Sequence, residues 1–163
     1  MKKRFRRWFQ YEQDAHRKVL DSLHSVPAAR RAEPSYQQAI NLLAHIVEAR
    51  RLWLFRLGAA RDAPSQLFPR KADLEEVTSG LDAMHAAWRG YWERLDVGQL
   101  ERHFEYQSTE GPWYRNVVED ILVQLFGHSL YHRGQIALLV RGCGGQPAET
   151  DFVFWTREPV GSP

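Results

Sequence analysis

The stretch Phe126-Gly127-His128-Ser129-Leu130-Tyr131-His132-Arg133-Gly134-Gln135-Ile136 sets two histidines four residues apart inside a longer apolar pattern. At about 3.6 residues per helical turn, positions four apart leave the same face of a helix, so both imidazoles can reach one metal ion. The pattern itself, Val118, Ile121, Leu125, His128, His132, Ile136 and Leu139, has the helical period. It predicts a helix from about Arg115 to Arg141, ended by Gly142, Gly144 and Gly145.

Three further periodic segments precede it. The first runs from about Phe9 to His24, with Trp8, Glu12, His16, Val19 or Leu20, and Leu23 inward; it stops before Val26-Pro27, because proline disfavours helix in the residue ahead of it. The second starts at Pro34-Ser35, with Ser35 as the cap, and continues through Leu57, carrying Leu42, His45, Ile46, Ala49, Leu52 and Trp53 on one side. Gly58 and Pro64 end it, and Ala59 to Arg70, with Pro64, Phe68 and Pro69, reads as a long connection. Asp73 caps the third helix, whose stripe is Leu74, Val77, Leu81, Met84 or His85, Trp88 and Trp92, with Gly98 closing it. Between Leu100 and Tyr114, the alternation Phe104, Tyr106, Ser108 and the breaker Gly111-Pro112 predict an extended or hairpin excursion. Four amphipathic helices and one excursion before the last of them predict an all-α, four-helix bundle without internal repeats. The aromatic tail from Thr150 to Glu158 is expected to pack back across the bundle or against a second subunit.

Bulk composition narrows the classes. A chain of 163 residues fits one domain spanning 1–163 with a real core. A hydrophobic content of 44%, with six Trp, eight Phe and six Tyr, excludes a disordered chain, and no apolar run approaches the roughly 20 residues that span a bilayer. The formal net charge of +2, dispersed except at Lys2 to Arg7, speaks against a specific nucleic-acid partner; that cluster reads as a solvated helix entry. Cys143 stands alone, which fits a reducing cytoplasm. The basic start is followed by Trp8-Phe9-Gln10-Tyr11-Glu12, charged where a signal peptide needs an apolar core, so a cytoplasmic location without a membrane partner is expected.

His45 stands near the middle of the second helix and His128 and His132 near the middle of the fourth, so the three share one depth if those helices are neighbours. Adjacent axes lie about 8–10 Å apart, a gap that facing imidazoles bridge through a metal ion. A lone histidine on an apolar stripe is more often a hydrogen-bonded core residue, and the four-residue spacing arises by accident; a third histidine on another core stripe is what favours a site. Three neutral nitrogens leave a coordination position open, whereas a structural zinc site is normally closed by four protein ligands. Cys143 is no fourth ligand, being about 16 Å along the axis from His132. An open ion implies chemistry on, or capture of, a small molecule.

Other residues take supporting readings. Gln124 or Gln135 can hold the second nitrogen of His128 or His132. Glu12, His16 and Trp53 are expected to line the pocket, with Glu12 as a base; the bland reading of Glu12 and His16 is partial exposure at the bundle end. Gly127 and Gly134 each cost the fourth helix about 1 kcal/mol relative to Ala, and imply either close helix packing or room for a ligand. Trp88 and Trp92 read as core or subunit interface, and His24, His85 and His103 take no role.

The run His128-Ser-Leu-Tyr-His132-Arg-Gly-Gln-Ile, then Gly142 and the segment from Thr150-Asp-Phe to Thr156-Arg-Glu, resembles the closing signature of the DinB/YfiT-like family. Leu43-Ala-His45-Ile and the segment Tyr11 to Leu23 resemble that family's second and first helices, so the likeness covers almost the whole chain. It implies a four-helix bundle, often a homodimer, with a divalent ion, commonly zinc or nickel, on His45, His128 and His132. It also implies a low-molecular-weight thiol as co-substrate, because relatives include thiol-dependent S-transferases and isomerases. Where the family commonly has Tyr-x-x-x-Ala-Asn, this chain has Tyr11-Glu-Gln-Asp-Ala-His16, which makes the pocket more basic. The resulting expectation is a metal-dependent transferase or hydrolase that activates a thiol or water towards a small-molecule substrate; the alternatives are a non-catalytic metal-containing stress or ligand-binding protein and a helical interaction protein with core histidines.

Overall fold

In a computed structural model, which describes residues 2–161, four long helices form the expected bundle. They are α1 (Lys2–His24), α2 (Pro34–Arg56), α3 (Leu74–Arg94) and α5 (Val118–Gly142). Between α3 and α5 lie a single-turn helix, α4 (Val97–Leu100), and an antiparallel hairpin of β1 (His103–Gln107) and β2 (Trp113–Val117); α6 (Phe152–Thr156) closes the chain. The centre of the bundle is α2, which packs most extensively on α5 and then on α3, while α1 lies mainly on α5. None of the helices among the described residues is long and apolar enough to cross a membrane.

Helix α1 starts seven residues earlier than its expected start at Phe9, because the inward stripe begins at Phe5. That ring is buried and stacks on Trp92 of α3 and Phe126 of α5 at centroid distances of 6.0 and 6.2 Å, while Lys3, Arg4, Arg6 and Arg7 point to water. Pro34 occupies the first turn of α2, where a missing N–H is harmless; Glu33, not Ser35, is the cap position, and its side chain makes no capping bond. Asp73 caps α3 as expected, accepting from the Glu75 and Glu76 amides at 2.9 and 3.1 Å. Gly98 does not close α3. The helix ends at Arg94, and Asp96 then caps α4 in a reciprocal box with Gln99, which puts Gly98 inside that turn. Gly58 (φ +74°) and Gly144 (φ +76°) take the left-handed conformation just past α2 and α5, where a Cβ would be strained.

The hairpin pairs Tyr106 with Tyr114 and Phe104 with Asn116, so Arg115 to Val117 are strand and α5 begins at Val118 rather than at Arg115. The buried stripe of α5 is also rotated from the expected one. Its members are Val118, Ile121, Leu122, Leu125, Phe126, Ser129, Arg133, Ile136 and Val140, whereas His128, His132 and Leu139 sit half-buried on its edge. The long connection after α2 is tied back to that helix: Asn41 donates to the carbonyl of Arg70 at 2.9 Å and accepts from the amide of Ala72 at 3.0 Å, and Gln37 donates to the carbonyl of Ala72 at 2.8 Å. The tail packs across α1, with Phe152 and Trp155 edge-on to Tyr11 at 5.0 and 6.0 Å.

Polar groups at the centre explain the rotated stripe. Glu12 of α1, Arg50 of α2 and Arg133 of α5 are all buried. Arg50 donates to the Glu12 carboxylate, and at 3.3–3.4 Å to the carbonyl of Leu125 and the hydroxyl of Ser129. Arg133 lies 3.7 Å from the other Glu12 oxygen and donates to the Tyr11 hydroxyl, which in turn donates to the carbonyl of Thr150. Burial pushes the Glu12 carboxyl above its usual range, and the Arg50 and Arg133 guanidiniums beside it oppose that shift. Replacing it strands two cations in the core. Glu12→Gln is therefore expected to lower the free energy of unfolding in urea by about 3–5 kcal/mol; a loss below about 1 kcal/mol would show that the pair is not what holds α1.

Candidate metal centre

The tie between Arg50 and the Leu125–Ser129 turn fixes α2 against α5, and in that register the side chains of His45, His128 and His132 converge. His45 Nε2 lies 3.0 Å from His128 Nε2, which lies 3.1 Å from His132 Nε2. One nitrogen from each ring falls within 4.8 Å of the others. The outer nitrogens of two rings are held. His45 Nδ1 donates to the carbonyl of Leu67 at 2.7 Å, and His132 Nδ1 donates to Gln135 Oε1 at 2.6 Å.

Those two bonds place the ring protons on Nδ1 and leave lone pairs on the Nε2 atoms of His45 and His132. His128 Nε2 carries at most one proton, so it cannot donate to both neighbours; a third lone pair in the same place is relieved by a cation. Nitrogens each about 2.0–2.1 Å from a common ion stand roughly 3 Å apart when adjacent in its shell, which is the spacing of these pairs. Burial, chiefly, and then the neighbouring His132 and His45 push His128 down to about 4, and burial lowers His45 as well. Both rings are neutral at pH 7, the state a ligand requires. The donor set fits a divalent ion.

A cavity of about 300 Å³ opens on His45 and His128. Trp53 and Arg56 of α2 form one wall, Phe68 of the long connection and Tyr106 of β1 others, and Gln124 of α5 another. The Phe68 ring stacks on His45 at 4.4 Å, covering one imidazole face. A larger depression, about 580 Å³, lies between α2, α3 and the connection; it mixes Glu48, Asp73 and Glu76 with Arg51, Arg70 and Lys71 and contains no histidine.

Of the supporting residues read from the sequence, Trp53 lines the cavity and Gln135 holds His132. Glu12 and His16 face the core and do not border the cavity: Glu12 is held by two guanidiniums, and His16 Nδ1 lies 3.1 Å from His85 Nε2 with the rings stacked. Gln124 borders the cavity without holding a histidine, and His128 Nδ1 is buried without a protein partner. The residues missed are Leu67, Phe68, Arg56 and Tyr106. The first two act from an aperiodic connection, and the only signal for Arg56 was its place eleven residues after His45 on one helical face.

The sequence model of the DinB family matches residues 1–159, and the chain belongs to that family. No curated protein matches it.

The His16–His85 pair has a measurable consequence. One proton between two ring nitrogens makes a hydrogen bond and two make a repulsion, and burial holds His85 down at about 4 and His16 well below its ordinary value. The unfolded chain takes up protons near pH 6.5 that the folded rings refuse, so stability is full above that pH and is lost as pH falls towards 4. The expected slope is at most about 1.4 kcal/mol per pH unit for each ring. Unfolding curves between pH 7 and 4 should be flatter for the double variant His16→Asn, His85→Leu than for the wild type; equal slopes would contradict the assignment.

Proposed function

We propose that this DinB-family protein is a cytoplasmic, single-domain, metal-dependent enzyme in which His45, His128 and His132 hold one divalent ion, zinc or nickel, for transfer of a low-molecular-weight thiol to a small electrophile. The observation that carries the reading is the convergence of three Nε2 atoms, two of them fixed as lone-pair donors. His45, His128 and His132 would hold the ion as neutral imidazoles, and the bound ion would supply a nucleophile near neutral pH by lowering the pKa of a thiol or water.

The chain's own residues favour the thiol. The cavity lining contains no Asp or Glu, and Glu12 is engaged by Arg50 and Arg133, so among the described residues no carboxylate borders the cavity to take a proton from water. A thiol, with an ordinary pKa near 8.5, needs far less help than water near 15.7. Leu67 and Gln135 orient two rings, while Phe68, Trp53 and Leu52 give the reacting groups an apolar wall.

A homodimer belongs to the same proposal. The outward face of α5 carries Val123, Leu130 and Leu138, all exposed, with Gly127 and Gly134 between them. A Cβ on either glycine would meet nothing within 4 Å, so neither serves packing inside the chain. A helix apolar on both faces is one that is buried on both, and two glycines one above the other let a second α5 approach closely.

Elemental analysis of protein purified without added metal should find one divalent ion per chain, absent from the His45→Ala, His128→Ala and His132→Ala variants. Gln135→Leu should retain the site with affinity weakened about 10–100-fold. Turnover of a thiol with an electrophile such as 1-chloro-2,4-dinitrobenzene should be abolished by chelation and restored by the ion. A wild type without stoichiometric metal would overturn the proposal, and an ion with saturable thiol binding but no turnover would leave a ligand-binding protein. Leu130→Arg should convert a dimer into a monomer in sedimentation velocity; a wild-type monomer would remove the dimer.

A further inference from the structure

The cavity beside the histidines has a second chemical feature at its other end. His45, Ala49, Leu52, Trp53 and Arg56 follow one another along a single face of α2, and about 16 Å of helix separates the first from the last. The Arg56 guanidinium is half-buried and lies 4.8 and 4.9 Å from the ring centroids of Trp53 and Tyr106. It makes one hydrogen bond, from Nη2 to the carbonyl of Gln107 at 2.8 Å, and pairs with no carboxylate among the described residues. Most of its five N–H groups have no protein acceptor.

A partly dewatered cation with unused donors, held over two rings in a cavity lined by no acidic side chain, is placed to receive an anion. We infer that the cavity binds an elongated acid whose carboxylate is gripped by Arg56 and whose other end reaches the three histidines. The planar fork of arginine matches a carboxylate in two parallel bonds, and a single cation at the mouth matches one negative charge better than the two of a phosphate monoester. Leu52, Trp53, Phe68 and Leu125 wall the space between with apolar surface, which suits an unbranched or aromatic body. About 300 Å³ sets the size at the small end of ligand sites. The histidine end of this inference rests on the metal-centre reading above; the Arg56 end does not.

Arg56 also tethers the hairpin to α2 through Gln107, and the experiment has to separate tethering from recognition. Zinc-loaded protein is titrated with 6-mercaptohexanoate and with 6-mercaptohexanol, and metal-free protein with hexanoate and hexanol, following Trp fluorescence and calorimetry. A charge-assisted bond predicts that the wild type binds each acid about 10–100-fold more tightly than its alcohol. In Arg56→Met that ratio falls to about one while affinity for the alcohols is kept; a purely structural arginine would lower both alike. Should the methionine variant not fold, Arg56→Gln, which keeps a donor for the Gln107 carbonyl, decides the matter by the same ratio. Equal binding of acid and alcohol by the wild type, or a preference that survives loss of the guanidinium, overturns the inference. A preference for hexanoate with no added gain from the thiol leaves Arg56 standing and removes the metal-centre reading instead. With 6-hydroxyhexyl phosphate as a third arm, tighter binding than 6-hydroxyhexanoate would replace the carboxylate by a phosphate and overturn the assignment of ligand class.

Discussion

Arg50 is the constraint on which this structure turns. Its guanidinium lies in the dry centre of the bundle, where it donates to Glu12 of α1 and to the Leu125 carbonyl and Ser129 hydroxyl of α5. An unpaired charge there would cost several kcal/mol, so the partners must be present together and in one geometry. Apolar helices can slide against one another at little cost, because Leu and Val on a stripe have many near-equivalent neighbours. A cation that reaches a named carbonyl and a named hydroxyl cannot slide. The register of α2 on α5 is thereby set, and His128 follows Leu125 by three residues and precedes Ser129 by one.

The same cluster shapes the electrostatics of the histidine site. Two arginines against one glutamate leave an excess of positive charge close to His128, and Arg50 adds to the burial that keeps this ring unprotonated. Neutral imidazoles with their inner nitrogens bare are prepared for a cation, and they owe that state to parts of the chain distant in sequence. Leu67 comes from the connection after α2, which Asn41 pins one turn ahead of His45. Gln135 comes from α5 itself. The hairpin contributes Tyr106, which packs on Trp53 at 4.9 Å and closes the far side of the cavity.

The bundle could be read from the sequence because each long helix carries its period in side chains that bury or cap: Asp73 ahead of α3, Ile46 and Ala49 within α2, Ile121 and Leu125 within α5. The histidine trio was legible for the same reason, since a four-residue spacing is a geometric statement about one helix face. Polar core residues were not. Arg50, Arg133 and Ser129 look like surface positions to a hydrophobic count, and their burial depends on a carboxylate 38 residues away from Arg50. Glu12 and His16 lie on the inward stripe by their period, and both are buried rather than partly exposed at the bundle end, but period does not say which neighbour an inward side chain meets, and they meet arginines and His85 rather than the cavity. The α1 start was hidden because the basic residues around Phe5 mask the first inward ring, and the α4 turn because one capped turn has no period to detect.

The proposed metal centre requires three ring nitrogens on two helices to share one cation. Crystals of protein purified without added metal, measured on either side of the zinc and nickel absorption edges, test it directly. The account predicts a single anomalous peak bonded to Nε2 of His45, His128 and His132 at about 2.0–2.1 Å. Crystals without a peak there, in which these nitrogens turn away from one another, would contradict it.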